Sequence, residues 1–497
     1  MVNPESRVQQ SLQSVEERAE ATLGFDNAFE WGGAAWLQRV QSWTSCLAQR
    51  NVQLGTRVAL SLPPSFDSLA ALLSIWNLGG SGFLLPSLPA TELRSWLKAA
   101  QVDGAIIAQA DSGWNSLEGE LSWGLAGETM EDNFFASISE VLESATAFDN
   151  DKLPGWDPER EALHSLSAGT WLPPVGVTLN HKQIWAAVDS IQQSWTDHVE
   201  RGCIGHLCVP SGATFVSTAL GILASGDVLQ LSSDPSLGHF LSTTSSLQQP
   251  LVSVTTAQCV RMWLKDPAHT ELSLERIRKI WATGGEVADS LPATWNIPVH
   301  SSYKVEACGG IVSWANQSDA GVGQLLPGLL SRIERQEQRH LRPGDTRSGL
   351  LYLQGERVSF SRFSLDQSSF EVETNFPNWL PTDDWCSLDA QKQLKVEGHS
   401  EDMFVYRDRR FSMRPIEQKL REHPQIRSAV LCAVEDKTLL KAFVEVDPGA
   451  PGRILTSRHI LSYIQEHFPH YMLPKFVEFR ESLPRNHFGE IARWTLK

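Results

Sequence analysis

The sequence has no apolar run approaching the roughly eighteen residues that a membrane-crossing helix requires, so no membrane partner is expected. It has no CxxC pair. The seven cysteines (Cys46, Cys203, Cys208, Cys259, Cys308, Cys386 and Cys432) are scattered, which excludes a zinc ribbon and a disulfide framework and favours a reducing compartment. The start, M-V-N-P-E-S-R-V-Q-Q, lacks the apolar core of a signal peptide, and a cytoplasmic location is expected. Positive charge is scarce: 42 Lys and Arg stand against 58 Asp and Glu, for a formal charge of −16. An acidic chain is a poor match for nucleic acid, and no nucleic-acid partner is expected. Internal repeats and low-complexity tracts are missing.

What is present is the composition of a globular enzyme-sized chain: 497 residues, 41% hydrophobic and 20% charged, enough for two to four structural units. Charge is uneven. From Gly398 to the end, 16 basic residues against 13 acidic ones give +3, leaving −19 for residues 1–397. Such a basic C-terminal part suits docking on the acidic body or on an acidic carrier protein. Tryptophan is abundant at 18 residues, against only five tyrosines. Core filling accounts for most tryptophans, although their broad faces would also suit an aryl or other bulky guest.

Periodicity places the elements. The stretch A-A-W-L-Q-R-V-Q-S-W-T-S-C-L-A-Q-R reads as an amphipathic helix, R-V-A-L-S-L-P as a buried strand, and S-L-A-A-L-L-S-I-W-N-L-G-G as an apolar helix stopped by Gly79 and Gly80. Strands follow at G-F-L-L-P and A-I-I-A. The same alternation returns over 204–310, from G-H-L-C-V-P to K-I-W-A-T-G-G. Strand–helix–strand order predicts parallel sheets covered by helices. Over 320–397 short alternating runs predict hairpins. After Gly398 come a helix from Pro415 to His423, the strands S-A-V-L-C-A-V and L-K-A-F-V-E-V, and a helix from Ser457 to His467. The expected fold class is α/β. Residues 1–397 form a large domain of two α/β subdomains (about 1–160 and 161–320) and a β-rich subdomain (about 321–397). A mobile α+β domain follows at 398–497.

Six motifs in chain order carry a resemblance. S-A-G-T-W-L-P-P-V-G-V-T-L-N-H at 167–181 is similar to a Ser/Thr- and Gly-rich phosphate loop followed by His. Ser167, Gly169, Thr170 and His181 match, whereas Ala168, Trp171, Leu172 and Val175 depart from it. In I-W-A-T-G-G-E, Gly284, Gly285 and Glu286 fit a segment that lies beside adenine. In S-S-Y-K-V-E, Glu306 takes the slot of a magnesium-binding Glu, and Tyr303 replaces a Gly. In L-P-T-D-D-W, Asp384 takes the slot of a ribose-binding Asp. In G-H-S-E-D, Glu401 and Asp402 fall on a hinge, and His399 replaces an Arg that contacts nucleotide. Finally, L-P-R-N-H-F-G-E-I-A-R resembles L-P-R-T-x-x-G-K-I-x-R, with Glu490 in the slot of a catalytic Lys. Together these resemble the adenylate-forming superfamily of acyl- and aryl-CoA synthetases, adenylation domains and firefly-type luciferases.

The resemblance implies ATP or AMP and Mg²⁺ at the nucleotide site, a CoA or pantetheine thiol as acceptor, and a carboxylic, aryl or acyl substrate, with an acyl carrier protein as a further partner. It implies catalytic roles for Glu490 and His181. The loop, the hinge and the tail have each lost a cation. Three activities follow: an acyl- or aryl-CoA ligase with impaired adenylation, an ATP-independent acyl transfer between carrier pantetheine and CoA (or thioester hydrolysis), and a non-catalytic binding or scaffold role.

Overall fold

The computed structural model describes every residue except 1–5, 27–28, 87, 110–113, 115–116, 118, 129–133, 146–147, 168, 170–171, 246, 267, 269–274, 285–290, 292–294, 296, 316–320, 335–346, 366, 372–375, 408, 435–437, 448–454, 487–489 and 497. Two nine-stranded sheets dominate the body. At the centre of the first, strands Leu229–Leu231, Ile204–Cys208, Leu251–Thr256, Ile277–Thr283 and Val299–Val305 run parallel. The second has Glu161–Leu166, Ser81–Leu84, Arg57–Ser61, Gly104–Gln109 and Trp123–Glu128 in parallel at its centre.

The chain crosses between these sheets more than its periodicity suggests. Thr22–Asp26 pairs with Leu229–Leu231 in the first sheet. Glu161–Leu166 and Gly176–Asn180 lie in the second, as does Ser361–Ser364. The expected cuts near 160 and 320 therefore mark sequence segments whose strands are shared between sheets. Periodicity reports which face of a strand is buried, and does not report which edge it joins.

Helices His181–His198 and Ala213–Ala224 lie in the largest core cluster, together with strands of both sheets. The second has no polar face (A-T-F-V-S-T-A-L-G-I-L-A), and eleven of its residues are buried, as befits a helix enclosed on every side. Arg357 is buried beside these helices at 1% exposure. It donates to the Cys308 and Ile311 carbonyls at 2.7 Å each and to Ser190 Oγ at 2.9 Å, and burial pushes it down to about 10. Tryptophan serves mainly the core. Trp36, Trp43, Trp96, Trp195, Trp263, Trp281 and Trp314 are fully buried. Trp281 and Trp314 stack at 4.3 Å, and their N–H groups reach the Ala315 carbonyl and Ser194 Oγ.

A four-stranded sheet (Leu329–Glu334, Arg347–Gly355, Leu380–Leu388, Leu394–His399) leads to the C-terminal part. There a hairpin at Met403–Tyr406 and Arg409–Ser412 precedes helix Arg414–Arg421, strands Ile426–Val434 and Leu439–Val446, helix Ser457–Gln465 and edge strand Phe476–Arg480. This part has its own core around Ile416, Leu420, Leu431 and Ile460. Among the described residues no helix is long and apolar enough to cross a membrane.

Three buried histidines set the acid response. Burial pushes His164 and His206 down to about 3 and His181 to about 4, against an ordinary 6.5. Each is neutral in the folded protein, while the unfolded chain takes the proton at its ordinary value. Their contribution is complete above 6.5 and is lost as pH falls toward these depressed values. Asp384, raised by burial to about 6, and Asp26, also raised by burial, work in the opposite direction, whereas His399 and His423, lowered by burial, add to the effect of the three histidines. Thermal unfolding midpoints are expected to fall from about pH 7 to about pH 5, above most carboxylate titration. A flat profile over that window would contradict this account.

Candidate active site

The C-terminal edges of the parallel strands in the first sheet form the floor of the site, the place where α/β sheets bind ligands. Gly284 follows strand Ile277–Thr283 with φ +80, a conformation that a side chain resists. Glu490 stands directly over it: a Cβ built on Gly284 would lie 3.6 Å from Glu490 Oε1. Glu490 Oε2 is buried and has no hydrogen-bond partner among the described residues.

The tail holds this position through its own geometry. Arg485 and Ile491 form an antiparallel bridge, Asn486 N donates to the Glu490 carbonyl at 2.8 Å, and Glu490 N donates to Asn486 Oδ1 at 2.9 Å. Leu483 and Leu496 anchor the two ends in the core of the C-terminal part. Arg493 then clamps the tail to helix Arg414–Arg421 by donating to both Glu417 oxygens, at 2.7 Å to Oε2, with Glu417 1% exposed. Burial opposes the Arg493 charge, but Glu417 more than restores it, and its pKa lies above the ordinary value. Arg414 Nε meets the fully buried Asp402 at 2.8 Å. Burial would raise Asp402, but Arg414 and Arg493 hold it below the ordinary carboxylate range.

Asp384 lies on strand Leu380–Leu388, directly opposite His399 on the neighbouring strand. Tyr303 reaches from the first sheet and donates its hydroxyl to Asp384 Oδ2 at 2.5 Å. The Asp384 carboxyl is thus engaged by a side chain standing in the slot of a small residue. Burial raises it to about 6, against the lowering effects of Tyr303 and of Arg414 from the lid. His399 is held below its ordinary value by burial. Its Nδ1 accepts from Glu401 N at 3.1 Å, and its own N–H donates to Asp402 Oδ2 at 2.8 Å. The two residues expected at a hinge therefore differ: Asp402 is fully buried and held by Arg414, and Glu401 is half-buried beside it.

Glu306 begins a short 3-10 turn after strand Val299–Val305. Its Oε2 accepts from Ser165 Oγ and Ala213 N at 3.2 Å each, and its Oε1 accepts from Thr214 Oγ1 at 3.3 Å. This carboxylate caps the N-terminus of helix Ala213–Ala224, where the helix dipole favours an anion. Among the described residues no cluster of three metal-ligating side chains forms. A single carboxylate already accepting three protein donors does not fit a dedicated Mg²⁺ site.

The loop between strands Glu161–Leu166 and Gly176–Asn180 closes on itself. Ser167 Oγ accepts from Val175 N at 2.9 Å, and Ser167 N donates to the Val175 carbonyl at 2.8 Å. Gly169 has φ +64, and a Cβ there would strike Pro174 at 2.6 Å. Ser167 is thus spent on loop geometry. Thr170, Gly285 and Glu286 lie outside the described residues.

His181, expected in a catalytic role, is placed in the core. It is 1% exposed, edge-on to Trp76 at 5.4 Å and tilted against Trp156 at 4.7 Å, and neither ring nitrogen has a hydrogen-bond partner among the described residues. A neutral imidazole between two indoles fills the core. The structure thus brings together Gly284 with Glu490, and Asp384 with His399 and Asp402. It adds Tyr303 and Arg414, which sequence reasoning did not assign to the site. Only Tyr303 left a signal, as a bulky residue in a glycine slot.

Two large α/β sheets, a bridging small sheet and a C-terminal unit whose tail reaches the ligand edge are the architecture of adenylate-forming proteins. The chain belongs to the AMP-binding enzyme family: residues 15–359 match the AMP-binding enzyme domain, and residues 415–490 match the AMP-binding enzyme C-terminal domain. An indoleacetate–CoA ligase of Aromatoleum aromaticum is 24% identical over 264 residues, covering 51% of each chain. The chain spans about half or less of the length of the curated relatives it matches. Among solved structures, the anthranilate CoA ligase AuaEII in complex with anthranoyl-AMP is similar at a TM-score of 0.80 and 17% identity, covering 98% of this chain and 96% of that one. The O-succinylbenzoate CoA synthetase MenE of Bacillus subtilis in complex with AMP is similar at 0.78 and 18%, covering 97% and 98%. At these identities the structural likeness speaks for the fold.

Proposed function

We propose that the protein is an acyl- or aryl-CoA ligase-like enzyme. It acts on a carboxylic acid, or on its thioester with CoA or a carrier-protein pantetheine, and its ATP-dependent adenylation step is impaired. The placement of Glu490 over Gly284 supports this reading above all else: the lid delivers a carboxylate where relatives of the resembled family deliver a lysine. Adenylation brings a substrate carboxylate to the α-phosphate, and its acceleration comes from positioning and from neutralising charge. Losing one such group costs about 10²–10³ in rate. An anion in its place adds repulsion of about 4 kcal/mol at 4 Å and an effective dielectric of 20. The Tyr303 hydroxyl on Asp384 adds a second obstacle, because it uses the acceptor that a ribose diol would use. That bond favours, as a second reading, exchange of acyl groups between thioesters without ATP.

The test is pyrophosphate release over a panel of aryl and aliphatic acids. Wild-type protein should release little, and Glu490→Lys should raise release at least about tenfold, corresponding to about 1.4 kcal/mol of barrier. Equal release from both proteins would sink the role given to Glu490. Incubation of acyl-CoA with carrier-protein thiol and no ATP, followed by mass spectrometry, reads out the second activity directly.

A further inference from the structure

All seven cysteines are free thiols, and two of them converge at the C-terminal edge of the first sheet. Cys208 ends strand Ile204–Cys208, and Cys259 lies in the first turn of helix Ala257–Lys265. They are 5% and 6% exposed, against 3% for Cys203 and 0% for Cys46, Cys308, Cys386 and Cys432. These two are therefore the most accessible of the seven.

Backbone register brings them together. Cys208 is the partner of Thr255 on the neighbouring parallel strand, and Thr255 Oγ1 donates to the Cys208 carbonyl at 3.1 Å. Parallel neighbours run about 4.8 Å apart. The chain turns at Thr256 into the helix that carries Cys259. Both cysteines enter one core cluster, with Phe240, Val260 and Trp263. A single loop meets both sides of the pair: Cys208 Sγ lies 3.8 Å from the Asp234 carbonyl, and Trp263 Nε1 donates to the next carbonyl, of Pro235, at 2.8 Å. Trp263 stands one turn beyond Cys259 on the same helix face. The two thiols share a hydrogen bond.

The pair is chemically unequal. Cys259 sits at a helix N-terminus, which favours a thiolate. Thr256 Oγ1 accepts from Cys259 N at 3.1 Å and donates to Cys259 Sγ at 3.0 Å. The bond from Cys208, with those from Thr255 and Thr256, holds Cys259 below the ordinary thiol range against burial. Cys208 is pushed up, first by the shared bond and then by burial. One sulfur is prepared to attack, and its neighbour keeps its proton.

We propose that Cys208 and Cys259 form a peroxide-sensitive thiol pair that closes reversibly into a disulfide. The Cys259 thiolate attacks one oxygen of hydrogen peroxide; the O–O bond breaks, an S–O bond forms and hydroxide leaves. The Cys208 sulfur then attacks the sulfenic sulfur of Cys259; the S–O bond breaks, the S–S bond forms, and the oxygen departs as water with the Cys208 proton. Two thiols lose two electrons, and one peroxide becomes two waters. The bond staples the start of helix Ala257–Lys265 to the neighbouring strand. Thr256 at that helix start pairs with Thr283, and Gly284 beneath Glu490 follows, so the staple borders the floor of the site. The chemistry of the pair owes nothing to the ligase reading.

Treating the full chain with hydrogen peroxide, unfolding it in N-ethylmaleimide and mapping its peptides by mass spectrometry tests this. A joined Cys208–Cys259 peptide, lighter by two hydrogens, is expected, with the other cysteines alkylated and both thiols restored by dithiothreitol. Cys208→Ala should stop at sulfenic and higher acids on Cys259, and Cys259→Ala should slow oxidation of Cys208 at least about tenfold. Circular dichroism checks the fold of each variant, and the wild-type map stands without them. Three results would overturn the proposal: acids on Cys259 with no joined peptide in the wild type, similar oxidation rates at all seven cysteines, or no reaction at a dose that oxidises free cysteine.

Discussion

Tyr303→Phe is expected to raise the affinity of the protein for AMP, and Tyr303→Gly to raise it further. In the structure the tyrosine hydroxyl donates to Asp384 Oδ2 at 2.5 Å, so a ribose hydroxyl seeking that oxygen competes with it. A hydrogen bond to a charged acceptor is worth about 1.5–3 kcal/mol; freeing that acceptor corresponds to roughly ten- to a hundredfold in the dissociation constant. Phenylalanine removes the competing donor but keeps the ring. Glycine removes both, and also restores the small residue that the resembled motif carries. The sign depends on protonation. Burial holds Asp384 at about 6, so the gain should be largest above that value, where the carboxylate accepts two donors, and should shrink below it. Calorimetric titration with AMP at two pH values measures this. Unchanged affinity in both variants would show that Asp384 is not the ribose acceptor, and the register assigned to L-P-T-D-D-W would lose its functional meaning.

The second large effect is on stability. Glu417→Gln should destabilise the C-terminal unit by about 3–5 kcal/mol, the cost of leaving a buried charge without its partner. Glu417 is 1% exposed and holds Arg493 through both oxygens, and it also accepts from Leu431 N at 2.7 Å. The substitution leaves the Arg493 guanidinium facing Arg414 and Arg421 with Asp402 as its remaining anion, at 3.9 Å. Combining it with Arg493→Met should recover much of the loss, since apolar replacement of a whole buried pair is often neutral. Urea unfolding followed by hydrogen exchange on strand Ile426–Val434 separates this unit from the body. A loss below about 1 kcal/mol would place the pair among ordinary surface bridges.

Much of the fold was legible because it rests on local rules. The helix expected over 34–50, the buried strand over 57–63 and the helix over 457–467 follow from side-chain period, and the structure has them at Gly33–Gln49, Arg57–Ser61 and Ser457–Gln465. The tail was legible from its motif: Leu483 and Ile491 pack inward, and Glu490 projects to the site. What escaped was long-range. Tyr303 and Asp384 are 81 residues apart, and nothing in either local pattern announces their bond. Arg414 precedes a proline at a helix start and reads as an ordinary first-turn residue, yet it meets Asp402 and lies within the field of Asp384. His181 differs for the opposite reason. A motif position suggested chemistry, while Trp76 and Trp156, distant in sequence, enclose the ring. Pair contacts between sheets and between body and lid depend on topology, which the period of a single segment does not encode.

The clamp between Arg493 and Glu417 ties the tail to helix Arg414–Arg421. Glu490 lies only three residues from Arg493, so lifting the tail alone would tear a doubly bonded ion pair out of its dry surroundings. Tail and helix are therefore expected to behave as one unit, joined to the preceding strand where His399 N and Arg414 share a single oxygen of Asp402.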